Sequence, residues 1–284
     1  MAELLKGGAV AAAITEKLSV ETARLKEAGV VPTLAVLRVG AREDDLAYER
    51  GILKRFSQVG AEVRVCALPE DVPEKVFFDT LYSLNEDTSV HGILMFSPLP
   101  SHLDRDAAVA AISPEKDVDG CTDLSLAGVF ANKELGYPPC TAQAAMEMLH
   151  YYGIKTAGKK AAVVGRSLVI GRPVAMMLMH ENATVTLCHT KTEDVAKITR
   201  EADIIVAAAG AGEMIDAEYV RDGQTVIDVG ICVNEKTGKL CGDVKFDEVE
   251  KVVGAITPVP GGVGAVTTAV LASHVVSAAG RKVK

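Results

Sequence analysis

Tryptophan is missing from this 284-residue chain, and six Tyr with six Phe bring the aromatic share to only 4%. Positive charge is also short: 30 Lys+Arg stand against 38 Asp+Glu, a formal net charge of −8. Together these exclude the basic, ring-bearing face on which nucleic-acid binders depend. The six cysteines (Cys66, Cys121, Cys140, Cys188, Cys232, Cys241) form no CxxC pair and stand at no metal-type spacing to a His. Neither a zinc site nor a disulfide framework is indicated, no metal is expected, and the thiols fit a reduced cytosol. The uncharged run Gly7–Thr15 lies between Glu3 and Lys6 on one side and Glu16 and Lys17 on the other, the wrong flanks for a signal peptide, so a cytoplasmic location is expected. Val252–Gly280 has no Asp, Glu, Lys or Arg, but Pro258, Pro260 and four glycines break it. It reads as a buried strand, a glycine loop and a buried helix, not as a membrane span.

What is present is apolar. Hydrophobic residues make up 49% of the chain, with 25 Gly and runs of Val, Ile and Ala, which excludes disorder and points to an α/β fold. Helical spacing in Val10–Ala28 ends at Gly29, and the strand-like TLAVLRVG (Thr33–Gly40) follows. The alternation continues through helix Asp44–Val59, strand AEVRVCAL, helix Glu74–Leu84, strand HGILMF and helix Asp104–Ile112. After Gly120 the pattern pauses. PPCT (Pro138–Thr141) reads as a hinge before a helix Ala142–Tyr152, with Thr141 as its N-cap. A second series runs through strand Lys159–Gly165, a helix from Gly171, strand ATVTLC, helix Glu193–Glu201 and strands DIIVAAAG and QTVIDVG. Strands alternating with helices imply parallel sheets, in two lobes that meet near residue 140.

In VVGRSLVIGRP a strand ends at Gly165, and Gly171 with Pro173 opens a helix. Glycines allow backbone N–H groups to approach a phosphate at the positive end of a helix. The glycines are six apart, so this is not GxGxxG, and a bare glycine turn is as often structural. Arg166 and Ser167 follow the first glycine. The next strand ends in CHTKT (Cys188–Thr192) where an Asp or Glu would bind a free ribose 2′-hydroxyl. Arg166, Thr190 and Lys191 favour NADP over NAD there, although Lys191 reads equally well as a solvated charge.

These residues belong to a wider set of blocks: PEKDVDG (Pro114–Gly120), PPCT, GRSLVIGRP (Gly165–Pro173), VIDVG (Val226–Gly230), GDV (Gly242–Val244) and TPVPGGVG (Thr257–Gly264). In this order they make the chain resemble, over essentially its whole length, the bacterial methylenetetrahydrofolate dehydrogenase/cyclohydrolases. The resemblance implies a folate-binding catalytic domain at 1–140 plus 265–284 and an NAD(P)-binding Rossmann domain at 141–264. It also implies a folate cleft between them, a homodimer, and a last helix, about Val266–Ala279, returning to the first lobe. The implied reaction is hydride transfer from methylenetetrahydrofolate to NADP, then hydrolysis of the methenyl product to formyltetrahydrofolate. Tyr48 would flank the folate ring, Asp119 would bind the pterin amino and ring N–H groups, and Pro260, Gly261, Gly262 and Val263 would line the cleft. Gly165, Arg166, Ser167, Gly171, His189, Thr190 and Ile231 would hold the cofactor. Asp228 ends a buried strand and receives no role. Ala265-Val266 stands where the family has Pro-Met, which loosens the expected start of the last helix.

The family's catalytic Lys, four residues after the Tyr, is Ile52 here, and the Gln that hydrogen-bonds that Lys is Phe96, followed by Ser97. Lys54 is no easy substitute, since two positions further along a helix turns a side chain roughly 200° away. A Lys–Gln pair has become Ile–Phe. Hydride transfer needs positioning, but hydrolysis needs a proton-transferring group, and isoleucine is none. The expectation is a dehydrogenase whose cyclohydrolase activity is absent or strongly reduced, with a separate cyclohydrolase completing the sequence. The alternatives are a fully bifunctional enzyme, a repurposed NADP-binding protein, and an NADP dehydrogenase for another small substrate.

Overall fold

The computed structural model describes residues 2–234 and 237–281. Along the chain run β1 (Glu3–Leu4), α1 (Gly7–Glu27), β2 (Thr33–Val39), α2 (Glu43–Val59), β3 (Glu62–Leu68), α3 (Glu74–Glu86), β4 (Gly92–Met95), α4 (Arg105–Ala111), α5 (Asp123–Ala131) and α6 (Cys140–Tyr151). They are followed by β5 (Lys160–Val164), α7 (Gly171–His180), β6 (Thr184–Cys188), α8 (Val195–Glu201), β7 (Ile204–Ala207), β8 (Thr225–Asp228), β9 (Cys232–Val233), β10 (Leu240–Cys241), α9 (Phe246–Val249), β11 (Ala255–Ile256) and α10 (Gly264–Gly280). The α/β alternation of the sequence is realised in two units, residues 13–140 with 268–281 and residues 2–12 with 141–267.

In the first unit β2 is the middle strand of a parallel sheet ordered β3-β2-β4. Every residue of β2 is buried, as its unbroken apolar run requires of a strand covered on both faces. Its one charge, Arg38, is neutralised by Glu49 of α2, Nε to Oε2 2.9 Å. Helix α2 turns Ile52, Phe56 and Val59 inward and ends at Gly60, whose φ of 80° permits its N–H to reach the carbonyls of Phe56 and Ser57. All of α10 from Thr268 onward belongs to this unit, as expected of a returning last helix. His274 Nδ1 lies 2.8 Å from Val118 O, and Arg55 Nε donates to Thr268 Oγ1 at 3.4 Å.

The second unit holds a sheet ordered β1-β11-β8-β7-β5-β6, with every neighbouring pair parallel. From β5 the chain crosses to β6 on one side and then returns to β7 on the other. Strand order therefore reverses between β5 and β7, which is where doubly wound sheets open a ligand crevice at their carboxyl edge.

Several details differ from the sequence reading. β1 hydrogen-bonds alongside β11, so residues 2–12 join the second unit and not the first domain; residues 1 and 282–284 of that expected domain lie outside the described residues. The pause after Gly120 contains α5, capped by Thr122 Oγ1 accepting from Ser125 N; DLSLAGVFA is too short and too evenly apolar to show a helical stripe. Helix α6 starts at Cys140, so Thr141 lies in its first turn and is not its cap. Helix α8 starts at Val195, because Asp194 before it takes the left-handed conformation (φ 49°). Among the described residues no helix is long and apolar enough to cross a membrane.

Candidate functional site

Four of the expected residues lie in the first unit. Tyr48 keeps 36% of its surface open, while Ile52, one turn further along α2, keeps none. Phe96 follows β4, its N–H bonded to Leu37 O, and its ring meets that of Tyr48 with centroids 5.6 Å apart and planes tilted by 35°. The pair is fixed from the start of α2. Arg42 grips Asp45 through two bonds (2.9 and 2.7 Å) and donates a third to Ser97 O at 3.0 Å, joining the helix to the loop after β4. A cavity of about 400 Å³ opens beside this link, lined by Gly40, Arg42, Glu70, Pro98 and Leu99. Lys54 is exposed and on another face from Ile52. Burial, then the charges of Asp119 and Cys140, push the Tyr48 hydroxyl well above the usual phenol range. It stays a hydrogen-bond donor at any working pH.

Asp119 stands in a turn built by its neighbour. Asp117 is fully buried and accepts from Cys121 N (3.0 Å), Thr122 N (2.8 Å), Thr122 Oγ1 (2.6 Å) and Ser125 Oγ (2.6 Å). With its oxygens consumed by the turn, Asp117 has none to offer a ligand. Among the described residues Asp119 takes no such bonds. Burial, then the charge of Asp117, push its carboxyl up to about 6, opposed by a hydrogen bond from Cys140. Gly120 has φ 73°, and a Cβ there would meet Tyr137 O and the backbone of Pro138 and Pro139 at 2.5 Å, so only glycine lets the YPPC segment close over the turn. His274 is buried and pushed down to about 4, hence neutral; facing a carbonyl, its Nδ1 carries the proton and donates to Val118 O between the two acids.

In the second unit the expected cofactor residues meet at the carboxyl edge of the sheet. Gly165 N donates to Cys188 O at 2.9 Å, which brings the ends of β5 and β6 together. A Cβ on Gly165 (φ 125°) would overlap Ala208 O, and one on Gly171 would overlap Gly165 O, so this turn requires both glycines. Ser167 shapes the turn: its Oγ accepts from Ile170 N at 3.1 Å and its carbonyl from Arg172 N at 3.0 Å. Arg166 and Thr190 are exposed, and His189 Nδ1 accepts from Lys191 N at 3.1 Å. Neither Arg166 nor Lys191 is in an ion pair among the described residues, so both are open to an anion. Ile231, after β8, is 65% exposed. After β11, Pro260 and Gly261 are exposed and Gly261 O accepts from Gly7 N at 2.9 Å, whereas Gly262 and Val263 are buried and the Val263 side chain belongs to the core.

Sequence reasoning passed over two further acids at this edge. Asp228, at the end of β8, accepts from Gly230 N (2.9 Å), Asp243 N (3.1 Å) and Val244 N (2.9 Å). Burial outweighs those bonds and pushes its carboxyl up to about 7. Asp243 in turn accepts from Ala209 N (2.6 Å), Gly210 N (3.0 Å) and Ala211 N (2.8 Å). The available signal was an acid in each of two apolar blocks, VIDVG and GDV. Among the described residues no three His, Cys, Asp or Glu side chains are gathered as a metal site.

Residues 5–119 match the model of the tetrahydrofolate dehydrogenase/cyclohydrolase catalytic domain, and residues 139–283 that of the NAD(P)-binding domain of the same family. The chain is 50% identical over 279 residues to the "Bifunctional protein FolD" of Carboxydothermus hydrogenoformans, covering 98% of this chain and 97% of that one. It is 48% identical over 284 residues to the protein of the same name from Clostridium kluyveri, covering all of both. Among solved structures, the FolD methylenetetrahydrofolate dehydrogenase/cyclohydrolase of Campylobacter jejuni superposes with a TM-score of 0.96 at 39% identity, over 99% of this chain and 100% of that one. The Trypanosoma brucei enzyme, complexed with NADP cofactor and inhibitor, superposes with a TM-score of 0.93 at 36% identity, over 100% and 99%.

Proposed function

The chain belongs to the tetrahydrofolate dehydrogenase/cyclohydrolase family, and on that premise we propose that it is an NADP-dependent methylenetetrahydrofolate dehydrogenase with little or no cyclohydrolase activity. The residues present suit a dinucleotide: a turn of obligatory glycines, open cations at Arg166 and Lys191, and no carboxylate at the end of β6 to favour an unphosphorylated ribose. When bound, NADP supplies the hydride acceptor. The chain's own part is to hold the folate and exclude water. Asp119, free of internal backbone bonds, offers a carboxylate to the pterin N–H groups, and the ring of Tyr48, braced by Phe96, gives the pterin a flat apolar wall.

The apolar trio of Tyr48, Phe96 and fully buried Ile52 carries the second half of the proposal. Hydrolysis of the methenyl product needs a group that takes a proton from the attacking water, and no nitrogen base projects from this stretch of α2 into that contact. The same reading makes the working unit a homodimer and leaves hydrolysis to a separate cyclohydrolase. A fully bifunctional enzyme is the competing reading, favoured by the names of relatives at 45–50% identity.

One cuvette tests both halves. Adding methylenetetrahydrofolate to protein and NADP is expected to reduce the nucleotide, faster than with NAD; no reduction would sink the dehydrogenase assignment. Methenyltetrahydrofolate added to the same protein is expected to decay at its uncatalysed rate, and protein-dependent decay would restore the bifunctional reading. The double substitution Ile52→Lys with Phe96→Gln is expected to gain hydrolysis by about 10²-fold, the usual contribution of one positioned proton-transfer group.

A further inference from the structure

The loop after β7 borders the glycine turn directly, since Ala208 O occupies the space a Cβ on Gly165 would need and Ala208 N donates to Val164 O at 2.8 Å. That loop is shaped by a single side chain. Asp243 is fully buried and draws the consecutive N–H groups of Ala209, Gly210 and Ala211 onto its two oxygens. No Lys or Arg pairs with it among the described residues, so the compensation of this buried acid comes from three N–H dipoles, with the Cys232 thiol a longer fourth contact at 3.9 Å. Its own position is set by Asp228, which takes the N–H groups of Asp243 and Val244, and by Gly230, where a Cβ would overlap the Asp243 carboxyl group. Two acids thus tie three loops at the carboxyl edge: 208–212, 229–231 and 242–244.

We propose that Asp243 is a positioning residue for the dinucleotide site: it holds the 208–211 loop in the form that receives the half of the cofactor lying across the β5/β7 crevice, and Asp228 holds Asp243. The strand order supplies the direction. In a doubly wound sheet the adenosine half lies over the first strand and its neighbour, here β5 and β6, and the remainder crosses the switch point toward β7. Asp243 therefore acts on the distal half of the cofactor and leaves the adenosine phosphates to Arg166 and the β6 end.

The inference rests on the NADP reading above, and the test separates the two. Binding of NADP and of adenosine 2′,5′-bisphosphate, the fragment without the distal half, is measured by calorimetry for the native protein and Asp243→Asn. Asparagine keeps one acceptor and turns an N–H₂ toward donors, so NADP is expected to bind about tenfold more weakly while the fragment binds as before. Retained fragment binding also certifies a folded variant. Equal weakening of both ligands, or unchanged NADP affinity, would overturn the role given to Asp243. Native protein that binds neither ligand would instead remove the cofactor reading. Should Asp243→Asn fail to fold, Asp243→Glu, which keeps the charge but displaces it by one methylene, is read by the same two affinities.

Discussion

Asp117 and Asp119 in one unit, and Asp228 and Asp243 in the other, are both pairs of buried or half-buried acids in loops, or for Asp228 at a strand end, of a unit built on a parallel sheet, and the chain treats them differently. Three of the four spend their oxygens on the protein's own N–H and O–H groups. Among the described residues Asp119 has only a thiol contact, from Cys140. A buried carboxylate is expensive, and the three bonded acids offset part of that cost while ordering loops, although at Asp228 burial still outweighs the bonds. Asp119 does not recover it, which is what a group reserved for a ligand looks like. The difference teaches that burial and sequence context do not separate scaffold from site; the fate of the oxygens does.

Exchanging each acid of the first pair for its amide is the strongest way to break that comparison. Asp119→Asn is expected to lower kcat/KM for methylenetetrahydrofolate by about 10²-fold or more, the usual loss when one partner of a buried charged hydrogen bond is removed. Its melting temperature at pH 8 is expected to hold or rise. The folded carboxyl of Asp119 sits near 6, above its unfolded value, so stability present at acid pH is lost as pH rises through 6, and the amide escapes that loss. Asp117→Asn is expected to do the reverse, costing about 2–4 kcal/mol of stability while the surviving folded fraction turns over normally. Denaturation curves and steady-state kinetics on the two variants decide it. A pair in which Asp117→Asn cripples turnover at full stability would invert the assignment.

A smaller effect sharpens the same point. With Asp119 assigned to the ligand as a carboxylate under the proposed function, kcat/KM is expected to fall below about pH 6, roughly tenfold for each unit, on a limb that Asp119→Asn lacks. A limb that persists in the amide variant would belong to another group.

The contrast was half visible in the sequence. The long strands and helices were legible because each is a continuous apolar run or a clear stripe: β2, buried throughout, and β5, buried after its first residue, are examples. The two-residue strands β1, β9 and β10 carry no period at all and exist only through their partners, whereas β11 was legible as the buried strand of the uncharged run from Val252. Ile52 and Phe96 were found by counting along motifs; the ring contact between Phe96 and Tyr48 is what the structure adds. In PEKDVDG both acids look alike; which of them is consumed depends on Thr122 and Ser125, on a helix the sequence did not announce. Asp228 went unassigned for a related reason. Its partners Asp243 and Val244 are 15 and 16 residues away, beyond the reach of any local pattern.

The smallest expected effect probes how the ligand-facing side is held when no acid clamp is available. The second unit sets its loop with three N–H bonds to one carboxylate, whereas the first sets Tyr48 with a ring contact and the Arg42 link to Ser97 O. Phe96→Leu keeps an apolar side chain of similar volume under Tyr48 and removes only the ring-to-ring part, about 0.5–1.5 kcal/mol. Tyr48 then samples more orientations before the folate arrives. The KM for methylenetetrahydrofolate is expected to rise about threefold with kcat and the NADP affinity unchanged, since the loss falls on binding in the ground and transition states alike. A fall in kcat instead would mean that the Tyr48–Phe96 contact serves the hydride-transfer step itself, and that the first unit, like the second, spends a packed contact on geometry as well as on affinity.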